Sequence, residues 1–507
     1  MTDVMADLRQ VDSNGARPRF AVAGVATVVV LAAVALSGSI GHYGFYGDEL
    51  YFIAAGRRFS FGYADQGPLV PAISWLMDVV APGSFVAQRI PVVVLTLAAI
   101  VLCALIAREF GGSGRAQILA AIAYASSPFL LVQATVLSTN AIDTALWVLL
   151  TWMLVRWVRT RDNGLLLWAG LVTAVDMQVK WIVPVLWVAV AICVLVFGPR
   201  ELVRRWQLWC GALATVAVTV PTVLWQNSHG WPQVRFTAVV AAEQDALGGR
   251  VVWVPLALGA AGLLGAVLLI VGVVVLMRWE PLRPYRFLGF TLLVVAAVFV
   301  ISDGRPYYAA GLYGAVMAAG AVWWTRVAAR WRTIATAVLV VSSLALQVFS
   351  SLPIRSAADL EPAESPTQAW AGITVYGQFG WPELRDATAA AYRALPEEER
   401  SRAVVIADTF WQASALDVDR DRYGLPAIYS PSRGFGYFGT PPDSASTVLW
   451  VGGDEPELRR QCGSLVQVGR VDVLLGLPRE TRDVTVWRCD RPTEPWSSVW
   501  PRIRHLN

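Results

Sequence analysis

The chain has 507 residues, 56% hydrophobic and only 15% charged, with a mean hydropathy of +0.52 and a formal net charge of +4. That composition excludes an ordinary soluble globule, and because the basic residues are spread over short breaks and not gathered in one patch, it leaves no nucleic-acid footprint. Three histidines and scattered cysteines give no zinc pattern.

Residues 1–19 are polar, with Arg9, Arg17 and Arg19, and precede an apolar run from Phe20 to Ile40 that is too long for a signal-peptide core, so it is read as an uncleaved first helix. Further apolar runs lie near 85–107, 116–132, 141–158, 164–179, 181–197, 207–225, 251–277, 287–301, 307–324 and 333–352. Each approaches the roughly 20 residues that a helix needs to cross a hydrocarbon core of about 30 Å, which predicts a polytopic α-helical membrane protein with about 11 transmembrane helices. With the N-terminus cytoplasmic, the inner breaks hold Arg108 and Arg115; Arg156, Arg159 and Arg161; Arg200, Arg204 and Arg205; Arg278, Arg283 and Arg286; Arg326, Arg330 and Arg332. The opposite short breaks hold far fewer, so the positive-inside rule predicts an N-in, C-out protein of the cytoplasmic membrane.

Between the first two runs, 41–84 reads as an outer loop carrying two short surface helices, near 48–58 and 69–80, separated by Gly62, Gly67 and Pro68. Outer segment 226–250 is too long for a tight turn and suggests a lid or substrate-gripping loop, with an amphipathic connector as the plainer reading. The transmembrane module spans 1–355. After Pro353 the composition turns mixed and acidic, predicting an extracytoplasmic soluble α/β domain over 356–507 with strands near 403–407, 426–429, 447–452, 464–473 and 484–488 and helices near 381–394 and 411–418. Cys462 and Cys489, in one exported domain, invite a disulfide.

This topology brings the polar residues near the spans to one face. Asp48 and Glu49 follow the first helix, Asn140 and Asp143 open the fourth, Asp176 and Lys180 close the fifth, and Asp303 and Arg305 precede the tenth. Ionised groups at a membrane are costly unless solvated, paired or used, so the cluster reads as an active site with Asp48 as its base. The plainer alternatives are a solvated helix start for Asp48 and Glu49, an N-cap role for Asn140 or Asp143, and mutual neutralisation of Asp176 and Lys180 at i, i+4. Lys180 is the one lysine among 41 basic residues, a compact ammonium suited to phosphate. No phosphate-cradling glycine loop occurs, which argues against a nucleotide or nucleotide-sugar donor.

In order, the Asp48-Glu49 pair, YADQGPL, STNAID, MQVKW, WQNSHGWP and GRPYYAAGLY, followed by GQFGWPELRDA, DTFWQASALD, YGLPAIYS and PWSSVWPRIRH, resemble the GT-C-fold polyprenyl-phosphate-sugar-dependent glycosyltransferases. More closely, the chain resembles bacterial, actinobacterial-type members of glycosyltransferase family 39, related to the protein O-mannosyltransferases and the lipid A aminoarabinose transferase. The resemblance implies an inverting hexosyl- or pentosyltransferase that moves a sugar from a polyprenyl-phosphate donor to a glycan, lipid or protein hydroxyl at the outer membrane face. It implies Asp48 as general base, Glu49 beside it and Asp143 as second acid. Lys180 and Arg305 would meet the donor phosphate and Tyr307 and Tyr308 would line the donor site, with Gln66, Arg58 and His229 as further substrate-binding candidates. No cofactor is required, and a bridging Mg²⁺ or Mn²⁺ is compatible with the carboxylates. Gly67 stands where relatives often carry proline, which predicts a looser turn after Gln66. A transporter or flippase of a lipid-linked sugar and a non-catalytic cell-wall scaffold are the competing classes.

Overall fold

The computed structural model describes residues 17–326, 329–347 and 352–507, so residues 1–16 and the end of the 333–352 run lie outside the described residues. Helices stand at all eleven expected positions. They are α1 (Val22–Ser39), α4 (Phe85–Glu109), α5 (Gly114–Ala125) continuing into α6 (Pro128–Val132), α7 (Thr139–Thr160), α8 (Gly164–Met177), α9 (Val183–Phe197), α10 (Trp206–Ser228), α12 (Trp253–Arg278), α13 (Arg286–Ile301), α14 (Tyr313–Arg326) and α15 (Arg330–Leu346). Between them lie α2 (Gly47–Gly56) and α3 (Leu69–Val80) after α1, and α11 (Pro232–Ala246) after α10.

Fewer helices than expected are full-length. Among the described residues six are long and apolar enough to cross a membrane, or seven if the pair spanning 114–135, bent by 69°, is one span. The difference has local causes. Ser126, Ser127 and Pro128 break the third run, and the tenth starts as a 3₁₀ turn, Pro306–Leu312, before α14 takes over. The chain is a multi-pass membrane protein.

The arginine-rich helix ends gather at one end, where Arg17, Arg156 and Arg159 surround the buried carboxylate of Glu109. The first turn of α7 and the last turn of α8 stand at the other end. There α2 departs from expectation: every residue of it except Asp48 is buried, because it is covered by the soluble part of the chain. Only α3 behaves as a surface helix, with Trp75, Leu76, Val79 and Val80 exposed on its apolar face.

The soluble part carries α16 (Trp381–Arg393), α17 (Phe410–Val418) and a five-stranded sheet of β1 (Val404–Ala407), β2 (Ile428–Tyr429), β3 (Thr447–Val451), β4 (Cys462–Val471) and β5 (Val484–Pro492). Its order is β2-β1-β3-β5-β4, with β1 parallel to β2 and β3, and β5 antiparallel to β3 and β4. The apolar runs at β1 and β3 are buried on both faces, as a central strand requires. Cys462 and Cys489 form a disulfide between β4 and β5. One continuous core joins the two regions: Leu50, Tyr51, Val70 and Leu137 pack with Leu384, Trp411 and Phe435.

Candidate active site

The orientation of α2 is fixed by Glu49, whose carboxylate is fully buried. Its Oε1 accepts from Arg89 Nε and the Leu137 N–H, and its Oε2 from Arg89 Nη2 and the Tyr46 N–H, all at 2.9 Å. Arg89 also donates to the carbonyls of Ile40 (2.9 Å) and Gly44 (2.7 Å) and to Gln378 Oε1 (3.0 Å), so a single ion pair ties the end of α1, α2, α4 and the soluble region together. Glu49, expected beside the base as a catalytic group, has its lone pairs spent on this knot. Its neighbour Asp48, about 100° round the helix, projects away from this knot.

Asp48 is partly buried and accepts the Trp411 indole N–H through Oδ1 at 2.8 Å, from α17 of the soluble region. Burial raises its pKa, and the nearby Arg433 and the indole hold the rise in check. Asp65 stands close enough to sense the Asp48 charge, and its Oδ1 takes the Tyr51 hydroxyl at 2.9 Å. Burial pushes the Asp65 carboxyl up to about 6, against the pull of Arg433 and Tyr51. Two carboxylates with raised proton affinity therefore flank one guanidinium that arrives from the loop after β2. Arg433 is held by the rings of Phe410 at 4.3 Å and Phe236 at 4.9 Å, and its backbone N–H donates to the His505 carbonyl at 2.8 Å.

Beyond Arg433 the cations continue. Arg305 is paired with Glu243 of α11, and Glu243 Oε1 also lies 3.8 Å from Arg433 Nη2. Lys180 is close enough to feel the charge of Arg305, Asp143 and Asp176. Its ammonium donates to Asn140 Oδ1 at 2.6 Å and sits 3.8 Å from the centre of the Tyr308 ring. Lys180 and Asp176 form no direct ion pair among the described residues and attract each other only at longer range. Nor do Asn140 and Asp143 cap α7: Ser138 does, accepting the Ala141 N–H at 3.2 Å, which leaves both side chains for the site. Asp143 and Asp176 are buried near each other beneath Lys180. Tyr307 stacks on Phe129 at 4.7 Å and stands edge-on to Tyr308 at 5.2 Å.

Gln66 is buried, and neither amide atom has a partner among the described residues. The turn after it is tight, not loose. The Gly67 N–H donates to the Val179 carbonyl at 3.2 Å, and a Cβ on Gly67 would lie 2.1 Å from the Gln178 carbonyl oxygen. Glycine permits the close approach that draws the start of α3 against the Lys180 turn, and a proline would delete the donor.

Arg58 and His229 do not join this cluster. The Arg58 guanidinium grips Asp417 of α17 through two bonds, 2.6 and 2.7 Å, and so fastens α2 to the soluble region. His229 stacks on Trp225 at 4.1 Å and donates from Nδ1 to the Trp225 carbonyl at 2.8 Å. Both line a separate cleft of about 310 Å³ with Tyr63, Tyr437 and Phe438. Asp65, Glu243, Trp411 and Arg433 are the site members that sequence reasoning passed over. Asp65 was inside the YADQGPL stretch, while Arg433, in SPSRGFGYF, had only its glycine and aromatic neighbours to mark it. Among the described residues no group of three or more His, Cys, Asp or Glu could hold a metal ion.

Residues 65–225 match the family described as dolichyl-phosphate-mannose-protein mannosyltransferase. Among solved structures, ArnT from Cupriavidus metallidurans in the apo state is similar with a TM-score of 0.60 at 16% identity, covering 92% of this chain and 97% of that one. The same protein bound to undecaprenyl phosphate gives 0.56 at 15% identity with the same coverage. The arabinofuranosyltransferase AftD from mycobacteria gives 0.52 at 13% identity, over 93% of this chain and 40% of that one. No curated protein sequence shows significant similarity to the chain. The fold is that of the GT-C glycosyltransferases.

Proposed function

From the GT-C fold as premise, we propose that this protein is an inverting glycosyltransferase that moves a sugar from a polyprenyl-phosphate donor to an acceptor hydroxyl at the outer face of the cytoplasmic membrane. The observation that carries the reading is the juxtaposition of two carboxylates of raised proton affinity, Asp48 and Asp65, with a row of cations, Arg433, Arg305 and Lys180, at one end of the helix bundle. A base and a phosphate site are the two parts such a transfer needs.

Asp48 takes the acceptor hydroxyl proton as the oxygen attacks the anomeric carbon. The bond from that carbon to the phosphate oxygen breaks on the opposite side, and the lipid phosphate leaves with one more negative charge than it carried as a diester. Lys180, Arg305 and Arg433 are fixed where that charge develops, and stabilisation at the leaving group acts on the rate directly. Asn140 and the Tyr308 ring hold the Lys180 ammonium in place, and the charges of Asp143 and Asp176 favour it from a distance. Glu49 and Arg58 are positioning residues, through Arg89 and Asp417. The scheme needs no metal, and EDTA is expected to leave turnover unchanged.

The test is transfer by the purified protein from radiolabelled polyprenyl-phosphate sugars to membrane and cell-wall acceptors, wild type against Asp48→Asn. Loss of a general base lowers turnover by about 10²- to 10⁴-fold. A protein that binds the lipid, transfers no sugar from a broad donor panel and behaves identically in both forms would overturn the reading in favour of lipid transport.

A further inference from the structure

The pairing of Glu243 is unusual in its position. It lies on α11, which buries only Pro232, Gln233 and Gln244, and the helix is bounded by residues in the left-handed region, Gly230 (φ 75°) and Trp231 (φ 56°) before it and Gly248 (φ 109°) and Gly249 (φ 59°) after it. A lightly packed helix between glycine joints is built to move at little cost in core packing. Its one acidic side chain in the site meets two arginines from two separate parts of the chain, Arg305 from the helix bundle and Arg433 from the α/β region.

We propose that Arg305 and Arg433 form an anion site that Glu243 fills in the unliganded protein, and that the phosphate of a lipid-linked sugar takes this site by displacing Glu243 and swinging α11 outward. The inference rests on the function proposed above. Two further facts favour exchange over a permanent bridge. The Glu243 side chain is 42% exposed, so its pairing is partly screened and weak, as surface ion pairs are. Arg433 Nε is buried without a hydrogen-bond partner among the described residues. The Glu243 carboxylate leaves that donor unspent; the sugar-linked phosphate brings two free oxygens to the site and gains a third when its bond to the anomeric carbon breaks, so that the leaving monoester can meet Arg433 Nε, Arg305 and Lys180 together. Glu243 thus acts as an internal competitor, and also keeps two buried-edge cations paired until the donor arrives.

The experiment measures binding of undecaprenyl phosphate to the full-length protein in nanodiscs, wild type against Glu243→Gln, with inorganic phosphate as a parallel ligand. Spin labels at Ala238 on α11 and Glu457 in the soluble region report helix movement in a background that retains Glu243. Removing the competitor should tighten undecaprenyl phosphate binding about 2- to 5-fold, the equivalent of one partly exposed ion pair, and the lipid should lengthen the label distance. Equal or weaker binding by Glu243→Gln, or a label distance unmoved by bound lipid, overturns the latch while leaving the transferase reading intact. A wild type that binds no undecaprenyl phosphate defeats the transferase reading itself. Inorganic phosphate that moves the labels as fully as the lipid does would make this a free-phosphate site and overturn the lipid assignment.

Discussion

Replacing Glu49 by glutamine tests whether the Asp-Glu pair divides its labour as the geometry says. Each oxygen of Glu49 accepts one guanidinium N–H and one backbone N–H. An amide offers one accepting oxygen, so whichever way it turns, its NH₂ group faces two donors, one of them the Leu137 or Tyr46 N–H. The orphaned backbone donor costs about 1–3 kcal/mol, and removing one partner of a buried ion pair costs about 3–5 kcal/mol in all. Arg89 and Glu49 are 1% and 0% exposed, so no solvent softens the loss. Against a typical total stability of about 5–15 kcal/mol, that is a large fraction. The double variant Glu49→Leu/Arg89→Leu does not rescue it, because the Ile40 and Gly44 carbonyls and the two backbone donors stay unpaired. Asp48→Asn changes a partly exposed group with one hydrogen bond and should shift stability by less than about 1 kcal/mol. Melting in detergent, run beside transfer assays, separates the two: Glu49→Gln melts well below wild type, whereas Asp48→Asn melts with wild type and does not transfer. A Glu49→Gln protein that melts with wild type, yet is inactive, would refute the structural role and return Glu49 to the chemistry.

On the proposed function Asp65 acts as a carboxylate, so turnover should fall as pH drops through about 6. Tyr51→Phe removes a hydrogen bond that favours the carboxylate and should move this acid limb upward, which a pH-rate profile reads directly. Glu480, buried in the soluble region with the Thr409 hydroxyl at 2.6 Å, is pushed by burial from an ordinary 4.5 to about 8. A carboxyl raised on folding contributes stability that is full below its ordinary value and lost as pH climbs through about 8, so melting temperature should decline over that window in wild type and flatten in Glu480→Gln. The Cys462–Cys489 bridge closes a separation of 27 residues, and its loss in Cys462→Ser/Cys489→Ser should cost about 3–4 kcal/mol by chain entropy, seen as earlier unfolding of the soluble region. Gly67→Pro should abolish transfer and lower the melting temperature, since it removes the donor to Val179 and drives atoms into Gln178.

Hydropathy was legible because it is a period-independent sum over long runs, and the helices stand where the runs are. The strands of the soluble region were equally clear: apolar quartets such as Val404–Ala407 sit between turn residues. Convergence of Asp48, Asp143, Lys180 and Arg305 toward one end followed from counting helices. What a one-dimensional reading could not supply was rotation. The Asp48-Glu49 pair looks like two equivalent acids, and only the packing of α2 beneath α17 turns one into the site and the other into a knot with Arg89. Arg58, expected to bind substrate, is instead taken up by Asp417, 359 residues away, a partner that no local pattern in the sequence marks. Arg433 and Trp411 lie in a region with no membrane signature, so nothing tied them to a membrane-face site.

Those two residues also set an order of events during synthesis. The ribosome delivers the helix bundle with Lys180 and Arg305 long before it delivers the segment bearing Trp411 and Arg433, so a nascent chain already threaded through the membrane owns half of the site, in which Asp48 lacks its indole partner and the cation row is one short. On the proposed function, folding of the α/β region therefore completes the site, and a chain stalled or clipped in the 353–410 stretch is expected to insert its helices and transfer no sugar.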